Sequence, residues 1–168
     1  MGVLSQDELE ALKAEWIGKQ FDEKEFSVTQ ERALEWARAC GETRPEFTDP
    51  EHLDYQAPVT FTAQFTGGRV FPEVLGKLLR RGNSFDAGKR VESHAPIRPG
   101  EELVGRSQIH DVYEKTGRSG AMLFIVHRMT FSDRSGTVKS VVDWRMVVRE
   151  SKASKQSRGS EGPKREAD

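Results

Sequence analysis

Four histidines, a single cysteine and scattered carboxylates are the side chains here that can move a proton or attack an electrophile. Proton transfer needs an imidazole or a carboxylate held within hydrogen-bond reach of the reacting group. One stretch is built to hold such groups: Trp36 to Asp49, reading Trp-Ala-Arg-Ala-Cys-Gly-Glu-Thr-Arg-Pro-Glu-Phe-Thr-Asp. A helix runs into Gly41, the residue type that leaves a helix through positive φ without strain. Pro45 then pins a short polar loop, a firm platform for chemistry. Cys40 falls on the apolar face of the preceding helix and reads as a small core residue. Arg38 is two positions away and faces elsewhere on a helix, so no local cation activates the thiol. His52 lies in a turn-rich segment and reads as a surface imidazole. His94 ends a strand before Pro96, where a backbone hydrogen bond accounts for it. His110 and His127 lie within β runs and carry no local motif, and Asp111 and Tyr113 have no spacing that demands chemistry. Lys77, Arg80, Arg81, Lys89 and Arg90 flank a turn, where such charges are ordinarily solvated. As a group they could also meet phosphate groups or an acidic protein face.

Several enzyme classes lack their signatures. There is no Gly-rich phosphate loop ending in Lys and Ser/Thr, no Cys/His zinc spacing and no Gly-x-Ser-x-Gly turn. No cofactor and no metal are expected. The net charge of −1 gives no electrostatic reason to expect nucleic acid or an anionic membrane as partner. No apolar run approaches the ~20 residues of a membrane span. With one cysteine there is no internal disulfide, and a cytoplasmic setting is the expectation.

The elements that must position the loop follow from periodicity. Residues 5–18 read as an amphipathic helix, with Ser5 and Glu8 as a capping box and Leu9, Leu12 and Trp16 as its stripe. A second helix is expected over about 28–40, capped by Ser27 and Gln30, with Ala33, Leu34, Trp36, Ala37 and Cys40 buried. Phe21 to Phe26 is a strand or a connector. Val59 to Thr66 alternates like a strand until Gly67-Gly68 interrupts it. Residues 72–81 are helix-like behind Pro72. Four β runs follow, over about 85–95, 101–115, 121–131 and 138–149. The third is apolar enough to be covered on both faces. In the last, Val138, Val142, Trp144, Met146 and Val148 share one side. The chain thus divides into an N-terminal helix (1–19), one domain (20–150) and a polar tail (151–168) that has too little to bury and should be disordered.

Helices followed by long antiparallel strands make an α+β domain, and the wording of the sequence goes further. Ala37 to Asp49, and Ala57-Pro58-Val59-Thr60-Phe61 after it, resemble the loop region of MaoC-like hydratases and dehydratases. His94-Ala95-Pro96-Ile97-Arg98-Pro99-Gly100-Glu101-Glu102-Leu103 resembles that family's His-x-Pro-Ile-Arg-Pro-Gly-Asp segment. Asp111 to Phe124 is similar to its next hairpin. The likeness covers about Phe21 to Arg149 and is strongest to the N-terminal type of MaoC-like domain, which in larger relatives precedes a catalytic domain. It implies a hot-dog fold, a long curved antiparallel sheet wrapped around a central helix. It also implies side-by-side pairing with a second such subunit or with a copy of itself. On this reading the segment after Pro58 begins the central helix despite its alternation.

Active members of the family add water reversibly across an enoyl thioester of coenzyme A or a carrier protein. Their motif is Gly-Asp-x-Asn-Pro-x-His, whose carboxylate and imidazole grip one water from two sides. Here Gly41 and Pro45 match, Glu42 stands at the Asp position, Arg44 at the Asn position and Phe47 at the His position. A phenyl ring can neither take nor donate a proton. The resemblance therefore implies a subunit of an R-specific enoyl-thioester hydratase or 3-hydroxyacyl-thioester dehydratase that provides acyl binding or scaffolding without the dyad. Glu42 and His94 remain the weak catalytic candidates, and Arg44, Phe47 and Phe61 the candidate substrate contacts. The alternatives are a self-sufficient hydratase using Glu42 with a relocated base, a non-enzymatic acyl-thioester binding module and, more distantly, a hot-dog thioesterase.

Overall fold

The computed structural model describes residues 3–80, 83–118 and 120–149. The expected disordered tail and Arg81 lie outside the described residues. Five strands form one antiparallel sheet in the order β1-β3-β4-β5-β2: β1 (Gln20–Ser27), β2 (Asn83–Ser93), β3 (Glu102–Gly117), β4 (Gly120–Ser132) and β5 (Val138–Arg149). With the helices packed against it, this is the α+β hot-dog architecture.

Helix α1 (Gln6–Trp16) forms where the stripe places it, and its capping box is complete: Ser5 Oγ accepts from Glu8 N–H while Glu8 reaches back to Ser5 N–H. Leu9 is buried in a core cluster with Leu75, Leu78, Ile109, Val112, Leu123, Ile125 and Val148, and Leu12 and Trp16 pack against it. That cluster also takes the apolar side of α4 (Glu73–Arg80).

The second helix starts later than its sequence signal. Phe21 to Phe26 is strand β1, and Ser27 is still part of it. Helix α2 (Gln30–Ala39) is capped by Thr29, whose side chain accepts from Arg32 N–H, so the Ser27/Gln30 box does not form. The sheet claims Ser27 because β1 pairs with β3 through to Ser27↔Glu102. A register shift between Gln20 and Asp22 also lets Phe21 and Phe26, five residues apart, both face the core. Cys40 is exposed at the C-cap, not buried, because the buried face of the helix holds Ala33 and Ala37 and stops short of it.

The segment after Pro58 is neither the strand its alternation suggests nor a full helix. It makes one 3₁₀ turn, Phe61–Gln64, with i→i+3 bonds from Phe61 N–H to Pro58 O, Ala63 N–H to Thr60 O and Phe65 N–H to Thr62 O. Three contacts explain this. Phe61 and Phe65 insert into a second core cluster with Phe26, Phe131 and Val142. Thr62 and Ser140 hydroxyls hydrogen-bond at 2.8 Å in the interior. Beyond the turn, a Cβ on Gly67 would stand 2.5 Å from the Asp22 carboxylate, so any other residue would push Asp22 off its bond from Arg69 N–H.

The later strands match their patterns. Strand β4 is buried along most of its length, as its largely apolar run implies. On β5 the inward side holds for Val142 and Val148, but Val138 is 40% exposed at the strand's first residue.

Candidate functional site

The loop after α2 is fixed at both ends. Gly41 takes φ +68°. Gly41 N–H donates to Arg38 O and Glu42 N–H to Ala37 O, the paired bonds of a Schellman motif. A short helix α3 (Pro45–Thr48) follows, with Pro45 opening it and Thr48 Oγ1 donating back to Arg44 O. Two further bonds lock the loop to the chain beyond it: Gln56 N–H to Glu46 O, and Ala57 N–H to Ile97 O. Arg98 adds a bond to Tyr55 O at 3.1 Å. The platform expected from Gly41 and Pro45 is thus built by local hydrogen bonds and anchored to the segment around Ile97.

What stands on the platform is a closed clamp. Arg44 Nε donates to Glu42 Oε1 at 3.0 Å and its NH2 group to Oε2 at 2.8 Å, a bidentate pair. Glu42 Oε1 also accepts from the backbone N–H groups of Thr43 and Arg44. These bonds, the Arg44 side chain first, pull the Glu42 carboxyl from 4.5 down to about 2. A carboxylate that is so weak a base is poorly suited to take a proton from water. The Arg44 guanidinium also lies over the Phe47 ring at 4.4 Å, and Phe47 is 4% exposed. The motif's Asp, Asn and His positions are therefore filled by three residues that satisfy one another.

A measurable consequence follows for pH. Because the folded pKa of Glu42 is depressed, its contribution to stability is present above about 4.5 and is lost as pH falls toward about 2. Carboxyl NMR titration should place the Glu42 midpoint near 2, and Arg44→Ala should return it toward 4.5. A wild-type midpoint at the ordinary Glu value would contradict the clamp.

The other candidates are dispersed. His94 is exposed, with Nε2 3.7 Å from Glu92, and its backbone N–H donates to Lys139 O. No contact among the described residues links it to Glu42. His52 accepts from Asp54 N–H through Nδ1, the local turn bond of a surface imidazole. Phe61 is fully buried and packs edge-on against Phe65 at 5.2 Å. In the basic cluster, Lys77 pairs with Glu73 at 2.7 Å and Arg90 with Glu92 at 2.6 Å. Lys89 stays exposed, with its Nζ over the Trp144 ring. His127, which carries no local motif, is buried on β4 with its Nε2 unpartnered among the described residues. Its signal in the sequence is an imidazole inside the apolar run from Ala121 to Phe131. Among the described residues no group of His, Cys, Asp or Glu could hold a metal ion, and no helix is long and apolar enough to cross a membrane.

Residues 15–142 match the family described as FAS1-like, dehydratase domain region. The fold is shared with one chain of the HadBC (3R-hydroxyacyl-ACP dehydratase) complex from Mycobacterium tuberculosis, at 23% identity and TM-score 0.55 over 79% of this chain and 93% of that one. A chain of the ChsH1-ChsH2 complex from the same organism aligns at 20% identity and TM-score 0.65, covering 88% and 97%. The MaoC-like dehydratase from Rhodospirillum rubrum gives 19% identity and TM-score 0.52, covering 80% and 93%. No curated protein matches significantly.

Proposed function

Because this chain belongs to the FAS1-like dehydratase domain family, we propose that it is the non-catalytic subunit of an R-specific enoyl-thioester hydratase or 3-hydroxyacyl-thioester dehydratase. One observation carries this reading: the Glu42–Arg44–Phe47 clamp at the position of the family's acid/base motif. Hydration of an enoyl thioester needs a water held between a carboxylate and an imidazole, and charge stabilised on the thioester oxygen. In the proposed assembly a second MaoC-like subunit supplies that pair, and this chain supplies acyl-binding surface and support. Two of the similar structures are complexes named for two subunits, which favours a hetero-oligomer over a homodimer.

The sheet offers a place for the partner. Strand β2 is an edge strand, exposed over most of its eleven residues, and Phe85 on it is 50% exposed. An open edge with an exposed aromatic is a template for pairing with another chain. The acyl thioester, of coenzyme A or a carrier protein, would then be shared between subunits.

Crotonyl-CoA hydration tests the reading. The chain alone should show no turnover above background, and co-expression with a MaoC-like chain bearing an intact Gly-Asp-x-Asn-Pro-x-His motif should give a complex that is active. Robust turnover by the chain alone, abolished by Glu42→Ala, would sink it in favour of a self-sufficient hydratase. Failure to form any complex would remove the heteromer.

A further inference from the structure

The sheet buries several polar side chains among its apolar ones, Ser107 and Ser140 included, and one seam of them holds His127. His127 sits there between the two core clusters, 3% exposed, with the rings of Phe21, Phe71 and Trp144 at 5.6, 5.7 and 6.4 Å. His127 Nε2 and Trp144 Nε1 are buried, and neither has a hydrogen-bond partner among the described residues. Buried polar atoms are normally paired, so two orphans on adjacent strands need an explanation. Both residues line a cavity of about 10 Å³, room for one water-sized group. Its remaining wall is mostly apolar, including Phe65, Met129 and Val142, and Thr66 and Lys89 are the exposed residues on its rim.

Lys89 is brought to the cavity by an irregularity in β2. The pairing with β5 shifts register between Asp86 and Lys89, and Gly88 within the shift has φ +88°. Bulges of this kind re-aim a side chain. Lys89 therefore sits opposite Trp144, with Nζ 4.9 Å from its ring centroid and donating to Ala63 O at 2.7 Å. One of three ammonium donors is used in that bond. Burial, and then the Lys89 charge, pushes the His127 imidazole down to about 4, so it is neutral near pH 7.

We propose that this cavity receives a carbonyl oxygen of the acyl ligand, an inference that rests on the acyl-thioester reading above. The groups present set the chemical class. An indole N–H and an ammonium can only donate, and the neutral imidazole donates too when its proton sits on Nε2, so an accepting guest atom suits all three. The Lys89 charge at His127 is opposed by those of Asp22 and Asp143, so no uncompensated positive charge requires an anion and a neutral acceptor fits. The volume admits an oxygen atom but no branched chain. The remainder of the acyl group lies toward Lys89 and the open β2 edge, the side on which a partner subunit would pack. Two sources supply such an oxygen: the thioester carbonyl itself, or a ketone farther along the chain.

The test is an NMR titration of the full chain, ¹⁵N-labelled, with Trp144→Phe identifying the Trp144 indole signal. Hexanoyl-CoA carries only the thioester carbonyl, and 5-oxohexanoyl-CoA adds a ketone. The Trp144 indole signal should move with at least one of them. A response to hexanoyl-CoA identifies the thioester oxygen, and a response to the oxo compound alone identifies the ketone. Trp144→Phe, which keeps a ring and removes the N–H, should weaken the Kd of the responding ligand by about 5- to 10-fold, the value of one hydrogen bond. Lys89→Met should weaken it at least as much. Binding of both thioesters without movement of the Trp144 signal, and with unchanged Kd in Trp144→Phe, would overturn the carbonyl site and leave acyl binding intact. No binding of either would remove acyl binding by this chain and the inference together.

Discussion

Phe61→Ala should cost about 3–5 kcal/mol of folding stability, read as a shift in the urea midpoint at constant slope. Phe61 is fully buried and sits on the single turn that replaces a longer central helix. Its ring meets Phe65 at 5.2 Å, and Phe65 in turn meets Phe26 at 4.6 Å and Phe131 at 5.8 Å. Removing it empties the centre of that aromatic group. The surrounding strands are hydrogen-bonded to one another and can collapse only partly into the space, which places the cost at the large end for core truncations. A loss below about 1 kcal/mol would show that the segment after Pro58 is not packed as described. Phe61 would then be free to act as the substrate contact that the family resemblance of its segment implies.

Arg128→Met is the second large effect. Arg128 and Asp143 face each other across β4 and β5, with bonds of 2.6 and 2.7 Å in a bidentate pair. Asp143 is 8% exposed. Burial alone would raise its pKa, but the hydrogen bonds and charge of Arg128 outweigh that and hold it below the usual value. Its stabilising contribution is therefore present above the ordinary Asp range and lost as pH falls below it. Arg128→Met leaves the carboxylate buried without its partner. Breaking a buried pair costs about 3–5 kcal/mol, and because the Arg128 side chain is 23% exposed about 2–3 kcal/mol is expected. The stability gap should also depend on pH. Asp143 costs the wild type stability on acidification through the Asp range, whereas in the variant burial is opposed only by the charges of His110 and Arg90, so the difference between the two should narrow as pH falls. A variant whose stability follows the wild-type pH profile would contradict this assignment.

The strands were legible because their signals are local. Alternation along 138–149 and the mostly apolar run of 121–131 each state how many faces are covered. Glycine-rich turns separate them. The start of α2 was not legible, because Ser27 and Thr29 are both competent caps and only the pairing of β1 with β3 decides between them. The segment after Pro58 was harder still. Its β-branched alternation, the family resemblance and the Gly67-Gly68 interruption point three ways. The outcome depends on Asp22 and Ser140, far away in sequence. At the loop, Gly41 and Pro45 announced the platform and Phe47 the missing imidazole. The clamp itself, with Arg44 gripping Glu42 and covering Phe47, required geometry. So did the seam of Lys89, His127 and Trp144, whose members come from three strands and share no local spacing.

The central claim is that this chain contributes no acid or base to the chemistry. It is tested most directly by kcat for hydration in the complex with a motif-bearing partner, comparing wild type with Glu42→Gln and Glu42→Ala. Both variants should keep kcat within about 10-fold, below the ~10²–10⁴ that a general acid/base group supplies. Replacing the partner's motif histidine should cost at least that larger factor. A fall of ~10² or more in kcat for Glu42→Gln, with the complex intact, would contradict the account and return Glu42 to the catalytic machinery.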